Sequence, residues 1–240
     1  MSDDRFWGIV GILAAIIIGA GVISALTPPG QKLINRINQE LSQVANIVKS
    51  HVSRRKAHPQ IRKTASELVS QREPNDFVGQ ISDIHRFVAD GIRYIHDPVS
   101  AEHISDPLET LYVKAGDCDC KSLLLTTLLE SIGYKCYMVL VNPLVEISSA
   151  RILKPGHAFV VTSIPDPNEF RKREENTVSM ILCERGTPTK YLVPLETTVS
   201  KVSAGWLSED IIEAIHAGRY RVIDPDAPPV MDQSLSLRLF

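Results

Sequence analysis

The sequence predicts an α+β fold in which one central helix packs on an antiparallel sheet. Three observations predict it. Apolar residues recur at three- and four-residue steps through the first half of the chain. Gly116-Asp117-Cys118 then opens a leucine-rich run through Leu123, Leu124, Leu125, Leu128, Leu129 and Ile132. Beyond Gly133 the apolar period changes to two, the signature of strands separated by turns. Helices followed by a run of strands form an α+β arrangement.

The first element expected is a membrane span. Phe6 to Leu26 is uncharged, and Ser24 is its only strongly polar side chain. At about 1.5 Å per residue it reaches roughly 30 Å, the hydrocarbon thickness of a bilayer. A cleaved signal peptide usually has a shorter apolar core and a stronger basic start than Arg5 beside Asp3 and Asp4. Gly11, Ala15 and Gly19 recur every fourth residue, a spacing that suits self-association of such helices. Lys32 and Arg36 after the span, against Arg5 and the amino terminus before it, lean toward a cytoplasmic C-terminal part but leave the side open.

Thr27-Pro28-Pro29-Gly30 ends the span. Leu33, Ile34, Ile37, Leu41, Val44, Ile47 and Val48 then predict an amphipathic helix over 31–51: a stalk, a pairing helix or a helix packed on the domain. A short helix is expected over 61–71. Pro74-Asn75-Asp76 starts another, with Phe77, Ile81, Ile84, Phe87, Val88, Ile92 and Ile95 on its apolar face. His85 and His96 on or near it are read as surface or capping histidines. Asp106 to Leu111 reads as a helical turn, and the central helix runs from 118 to 131 with Gly133 as its C-terminal cap. Strands are expected over 134–141, 157–164, 177–184, 191–195 and 220–223. The polar stretch 165–176 is expected as an exposed loop. Ser208 caps a helix that Gly218 stops, and the C-terminal tail is expected to be irregular. The implied organisation is 1–30 membrane anchor, 31–72 helical stalk or linker, and 73–240 the α+β domain.

Composition narrows the function. The chain has 240 residues, 44% of them hydrophobic and 22% charged, and a net charge of −2. No basic excess points to a nucleic-acid partner. The cluster Lys49, Arg54, Arg55, Lys56, Arg62 and Lys63 reads as a solvated junction, with a membrane-surface contact as the alternative. Cys118, Cys120, Cys136 and Cys183 match neither a zinc spacing nor a disulfide framework. Cys136 and Cys183 are read as small core residues. No calcium-loop pattern is present, and no metal or cofactor is expected.

The chemistry is carried by three residues in order. Cys118 lies in the first turn of a helix, where free N–H groups and the helix dipole favour a thiolate. Asp117, as N-cap, is placed to accept the Cys120 N–H. Asp117 and Asp119 oppose ionisation, so a nearby imidazole is needed, and His157 follows the Pro155-Gly156 turn at a strand start. Glu196, in Leu195-Glu196-Thr197-Thr198, is placed by a hairpin where it can hold the other ring nitrogen. Asp224, in Ile223-Asp224-Pro225, is the alternative acid. Cysteine, histidine and acid together make a thiol acyl-transfer site.

These residues resemble the transglutaminase-like superfamily, whose fold belongs with the papain-like cysteine peptidases. Asp106-Pro107-Leu108-Glu109-Thr110-Leu111 is similar to the family's segment before the nucleophile. Gly116-Asp117-Cys118-Asp119-Cys120-Lys121-Ser122-Leu123-Leu124-Leu125 is similar to its nucleophile helix, and Gly156-His157-Ala158-Phe159-Val160 to its histidine strand. The resemblance implies Cys118 as nucleophile and His157 as base. The chain departs from the pattern in three places. Cys120 stands where a second acid is frequent, Glu196 stands in place of the usual Asp, and the segment between histidine and acid is longer.

The expected protein is therefore a membrane-anchored cysteine peptidase, amidase or acyltransferase acting on amide bonds of peptides or peptide-like polymers, with hydrolysis favoured. The rival is a catalytically silent module of the same fold, tethered to a membrane for binding or assembly.

Overall fold

The computed structural model describes residues 28–96, 103–142, 144–147, 150–153, 156–173, 182–184, 191–227 and 237–239. The apolar stretch Phe6 to Leu26 and its small-residue repeat lie outside the described residues. Among the described residues, no helix is long and apolar enough to cross a membrane.

The chain builds helices first. Helix α1 (Pro28–Arg55) is followed by α2 (Pro59–Leu68) and α3 (Phe77–Gly91). A two-residue strand β1 (Arg93–Tyr94), helix α4 (Pro107–Val113) and strand β2 (Ala115–Gly116) lead into the central helix α5 (Cys118–Ser131). The strands β3 (Cys136–Val141), β4 (Leu144–Ile147), β5 (Ala150–Leu153) and β6 (His157–Ile164) come next. Helix α6 (Pro167–Arg173) precedes β7 (Leu182–Glu184) and β8 (Tyr191–Leu195). Helix α7 (Glu209–His216), β9 (Tyr220–Ile223) and β10 (Leu237–Leu239) complete the order.

Six strands form one sheet in the order β10-β7-β8-β6-β3-β9, with every described pairing antiparallel. Helix α5 lies on one face. Its Leu124, Leu125, Leu128 and Leu129 pack with Val160, Val193 and Leu195 of the sheet and with Val78, Ile81, Ile84 and Val88 of α3. The opposite face carries Tyr137, Val139, Phe159 and Val161 against Ile211, Ala214 and Ile215 of α7. The alternation along β6 between these two cores follows from the two-residue strand period. Helix α5 is buried on nearly every side from Asp119 to Glu130, which explains its near-continuous leucine content. Each leucine so buried contributes about 1.5–3 kcal/mol relative to exposure.

Of the three readings for the helix after Gly30, its C-terminal half shows packing on the domain. Val48 and Val52 of α1 are fully buried against Leu123, Met138, Ala158 and Ile223. Ile61 and Ala65 of α2 are equally buried. Half of the basic cluster at this junction is spent within the fold. Arg54 and Arg55 pair with Asp106 at 3.1 and 2.8 Å, and Lys56 pairs with Glu130 and Asp226 at 2.9 and 2.7 Å.

Three expectations need correction. Helix α3 stops at Gly91 instead of continuing to Ile95, because Arg93 and Tyr94 pair with Ala115 and Gly116. The segment expected as an exposed loop contains α6, with Phe170 wholly buried. Asp166 accepts the Asn168 N–H at 2.8 Å and Pro167 opens the helix, a start signal of the ordinary kind. The tail contributes β10, paired with β7. Part of the strand expected over 177–184 lies outside the described residues.

Candidate active site

Gly116 sets the approach to the site. A Cβ at this position would stand 2.7 Å from the Cβ of Cys120 and 3.4 Å from Thr110 Cγ2, so β2 touches α5 only because the residue is glycine. Asp117 follows as N-cap, and its Oδ1 accepts the Cys120 N–H at 3.1 Å. This places Cys118 at the first helical position, half-buried. Strand β8 pairs with β6 only as far as Val160 opposite Leu195, and the Ala158 N–H is given to the Cys118 thiol. The thiol is thus fixed beside the residue that follows His157.

His157 opens β6 opposite Val141. Its Nε2 lies 2.6 Å from Oε2 of Glu196, just past the end of β8. The other carboxylate oxygen, Oε1, accepts the Thr198 N–H at 2.7 Å and the Thr198 hydroxyl at 2.8 Å. Glu196 is 1% exposed, yet its pKa lies below the ordinary value. Burial pushes it up, but the hydrogen bonds from His157 and Thr198 outweigh that. Asp224, the alternative acid, is engaged elsewhere: it pairs with Lys135, which also holds Asp226 at 2.8 Å.

The resting charge on the thiol differs from the expectation. Burial raises the Cys118 pKa far above that of a free thiol, and Asp119 and Asp117 raise it further. The Ala158 N–H works in the opposite direction and does not offset them. The helix start gives this cysteine a position, while the aspartates that shape the start withhold the charge. The thiol is neutral at rest.

Four features escaped the sequence reading. His85, expected as a surface or capping histidine, is 1% exposed, and its Nε2 lies 2.6 Å from the Glu196 carbonyl oxygen. It fixes the backbone that carries the acid. Its place on the apolar face of α3 was the available signal. Tyr94 is brought beside Gly116 by the β1–β2 pairing. Burial and then the charges of Cys118, Asp117, Asp119 and Glu196 raise its phenol, so it remains an O–H donor. Its ring meets His96 edge-on at 4.9 Å. Lys121 is 1% exposed and donates to the Ala89 and Ile92 carbonyls at 3.1 and 2.7 Å, tying α5 to the end of α3. Burial pulls its pKa down to about 8, against the raising effect of Glu196 and Asp90. Finally, Asn142 and Arg221 stand at the His157 end of the sheet.

Asp117, Asp119 and Cys120 offer possible ligand atoms within 4.8 Å of one another. Those atoms already serve the helix start. Both carboxylates accept the Cys120 N–H, and the Cys120 thiol accepts the Ser105 N–H at 3.2 Å while donating to the His103 carbonyl at 3.4 Å. Cys120 is a structural thiol at the base of this loop.

No protein-family model and no curated protein matches the chain. Among solved structures, a crystal structure of a "putative protease" from Parabacteroides distasonis aligns over 50% of this chain at 12% identity with a TM-score of 0.36. The alignment covers 25% of that longer chain.

Proposed function

We propose that this protein is a thiol enzyme of transglutaminase-like fold that cleaves or exchanges amide bonds in peptides or peptide-like polymers. One observation carries the reading: a buried, threonine-braced Glu196 holds His157 at 2.6 Å, directly beside the strand residue that contacts the Cys118 thiol. A surface ion pair of no consequence would not bury its carboxylate and saturate both of its oxygens.

In this reading Cys118 attacks the amide carbonyl as His157 takes the thiol proton. The imidazolium then gives that proton to the leaving amine, and a thioester remains on Cys118. Water or a second amine resolves the thioester through His157. Glu196 fixes the ring tautomer and stabilises the imidazolium. Because the thiol is neutral at rest, proton transfer belongs to the reaction itself. The developing oxyanion would be met by the Cys118 N–H and the Tyr94 hydroxyl, the side-chain donor that β1 sets beside Gly116. Phe6 to Leu26 would anchor this site to a membrane as a single-pass segment, with self-association through Gly11, Ala15 and Gly19.

The test is direct trapping. The full chain in detergent is incubated with a mixed peptide pool, quenched in acid and mapped by mass spectrometry. An acyl group on Cys118, absent in Cys118→Ala and in His157→Ala, is the expected result. New amines released equally by the wild type and Cys118→Ala would refute the assignment.

A further inference from the structure

We propose that Asn142 and Arg221 form a carboxylate-binding subsite at the Cys118 end of the sheet, so that the substrates carry an anionic group there. The inference deepens the thiol-enzyme reading and rests on it only for the word substrate; the site itself stands on geometry.

The sheet register brings the two residues together. Val141 lies opposite both His157 of β6 and Tyr220 of β9, so Asn142 and the start of β9 share the catalytic end of the sheet. Asn142 continues β3 by giving its N–H to the Arg219 carbonyl at 3.2 Å, and Arg221 faces Leu140 in the ladder. Strand alternation fixes the face. Tyr137, Val139, Tyr220 and Val222 belong to the α7 side, whereas Met138, Leu140 and Ile223 pack in the cluster that includes Cys118 and Ala158. Asn142 and Arg221 follow the second set, so both side chains belong to the face on which the thiol lies.

Their hydrogen bonding is incomplete in a way that points to an acceptor. Asn142 is 2% exposed, and its amide nitrogen has no partner. The Arg221 Nε is buried and also has none; its Nη1 donates to the Tyr220 carbonyl at 3.0 Å. Among the described residues, no carboxylate faces Arg221, and burial lowers its pKa with only the Tyr220 phenol opposing. A buried N–H without an acceptor has given up its water without replacing it, a cost that a bound acceptor removes. Two such donors on neighbouring strands, one on an uncompensated guanidinium, are groups that a carboxylate would satisfy. The carboxylate could belong to a peptide C-terminus or to an acidic side chain.

The experiment separates those sources and needs no chemistry at the thiol. The full-length Cys118→Ala protein in detergent is titrated with three peptides: acetyl-Gly-Gln with a free C-terminus, acetyl-Gly-Glu amide, and the neutral acetyl-Gly-Gln amide. Affinity and the arginine Nε–H signals are followed by NMR, with the Arg221 signal assigned by its loss in Arg221→Lys. One of the two carboxylate peptides is expected to bind at least about tenfold more tightly than the neutral one and to shift the Arg221 signal. The free acid as winner assigns C-terminal recognition; the glutamate amide assigns recognition of an acidic side chain. The gain disappears in Arg221→Gln and Asn142→Leu and falls to an intermediate value in Arg221→Lys, which keeps the charge without the fork. Equal affinities for the three peptides, including no binding of any, would overturn the subsite, as would a difference that survives Arg221→Gln. Failure of the thiol reading would appear instead as the absence of an acyl group on Cys118.

Discussion

Burial and two adjacent aspartates raise the pKa of the Cys118 thiol, and in the proposed reaction this shifts the chemical burden to His157 and Glu196. Replacing the acid should therefore be costly. Glu196→Gln removes the acceptor for the imidazolium and is expected to lower turnover of any amide substrate by about 10²-fold or more, with little change in KM. The same residue leaves a mark on stability. Its folded pKa is depressed, so its contribution is present above the ordinary carboxylate pKa and is lost as pH falls through the lower folded value. Acid denaturation monitored by circular dichroism should show a contribution in that window that Glu196→Gln lacks.

Lys121 has the opposite sign. Its pKa falls to about 8 on folding from an ordinary value of 10.5, so between those values the unfolded chain binds more protons and stability gained from this residue rises with pH. Relative to Lys121→Met, the wild type should gain on the order of 2–3 kcal/mol between pH 8 and pH 10.5 in urea titrations. A constant difference across that range would contradict a buried, depressed lysine. The candidates Cys118, His157 and Glu196 were legible in the sequence because each stands at a local signal: a helix start, a strand start and a strand end. His85, Tyr94 and Lys121 were not, because each acts through a contact made between elements distant in sequence.

At the scale of elements, the close contact of β2 with α5 is the joint that presents the thiol. Gly116→Ala introduces a methyl group 2.7 Å from Cys120 Cβ and should destabilise the protein by about 1–3 kcal/mol. Thermal unfolding checks this, and Cys118 reactivity should change with it. The central helix and the strands β3, β6, β8 and β9 could be read because one-sided or continuous apolar patterns reported their burial. The end of α3 could not, since the backbone pairing of Arg93 and Tyr94 with Ala115 and Gly116 overrides an apolar period that runs on to Ile95. Helix α6 was hidden by polar neighbours around the fully buried Phe170. The Asp-Pro-Leu-Glu segment gained a second meaning in the fold. Asp106 caps α4 and also receives Arg54 and Arg55, so a single carboxylate ties the end of α1 to the start of α4.

At the scale of the whole molecule, the proposal joins a packed α+β body to an apolar leader. Helix α1 begins at Pro28 and ends at Arg55 among buried residues of the domain, which would hold the site close to a bilayer if Phe6 to Leu26 spans it. The full chain is expected in the membrane fraction after alkaline carbonate washing, and a chain lacking residues 1–27 is expected to leave it while keeping its circular dichroism. Release of the full chain by the wash would remove the anchor from the account without touching the catalytic claim. That claim is tested most directly by the alkylation rates of the individual cysteines. Iodoacetamide is applied to the native protein between pH 6 and pH 9, and each thiol is followed by peptide mapping in the wild type and in His157→Ala. Cys118 is expected to react at least about tenfold faster than the buried Cys120 and Cys136, because His157 takes its proton as the new C–S bond forms, and His157→Ala is expected to abolish this advantage. Equal slow labelling of these thiols, or a Cys118 rate indifferent to His157, would contradict it.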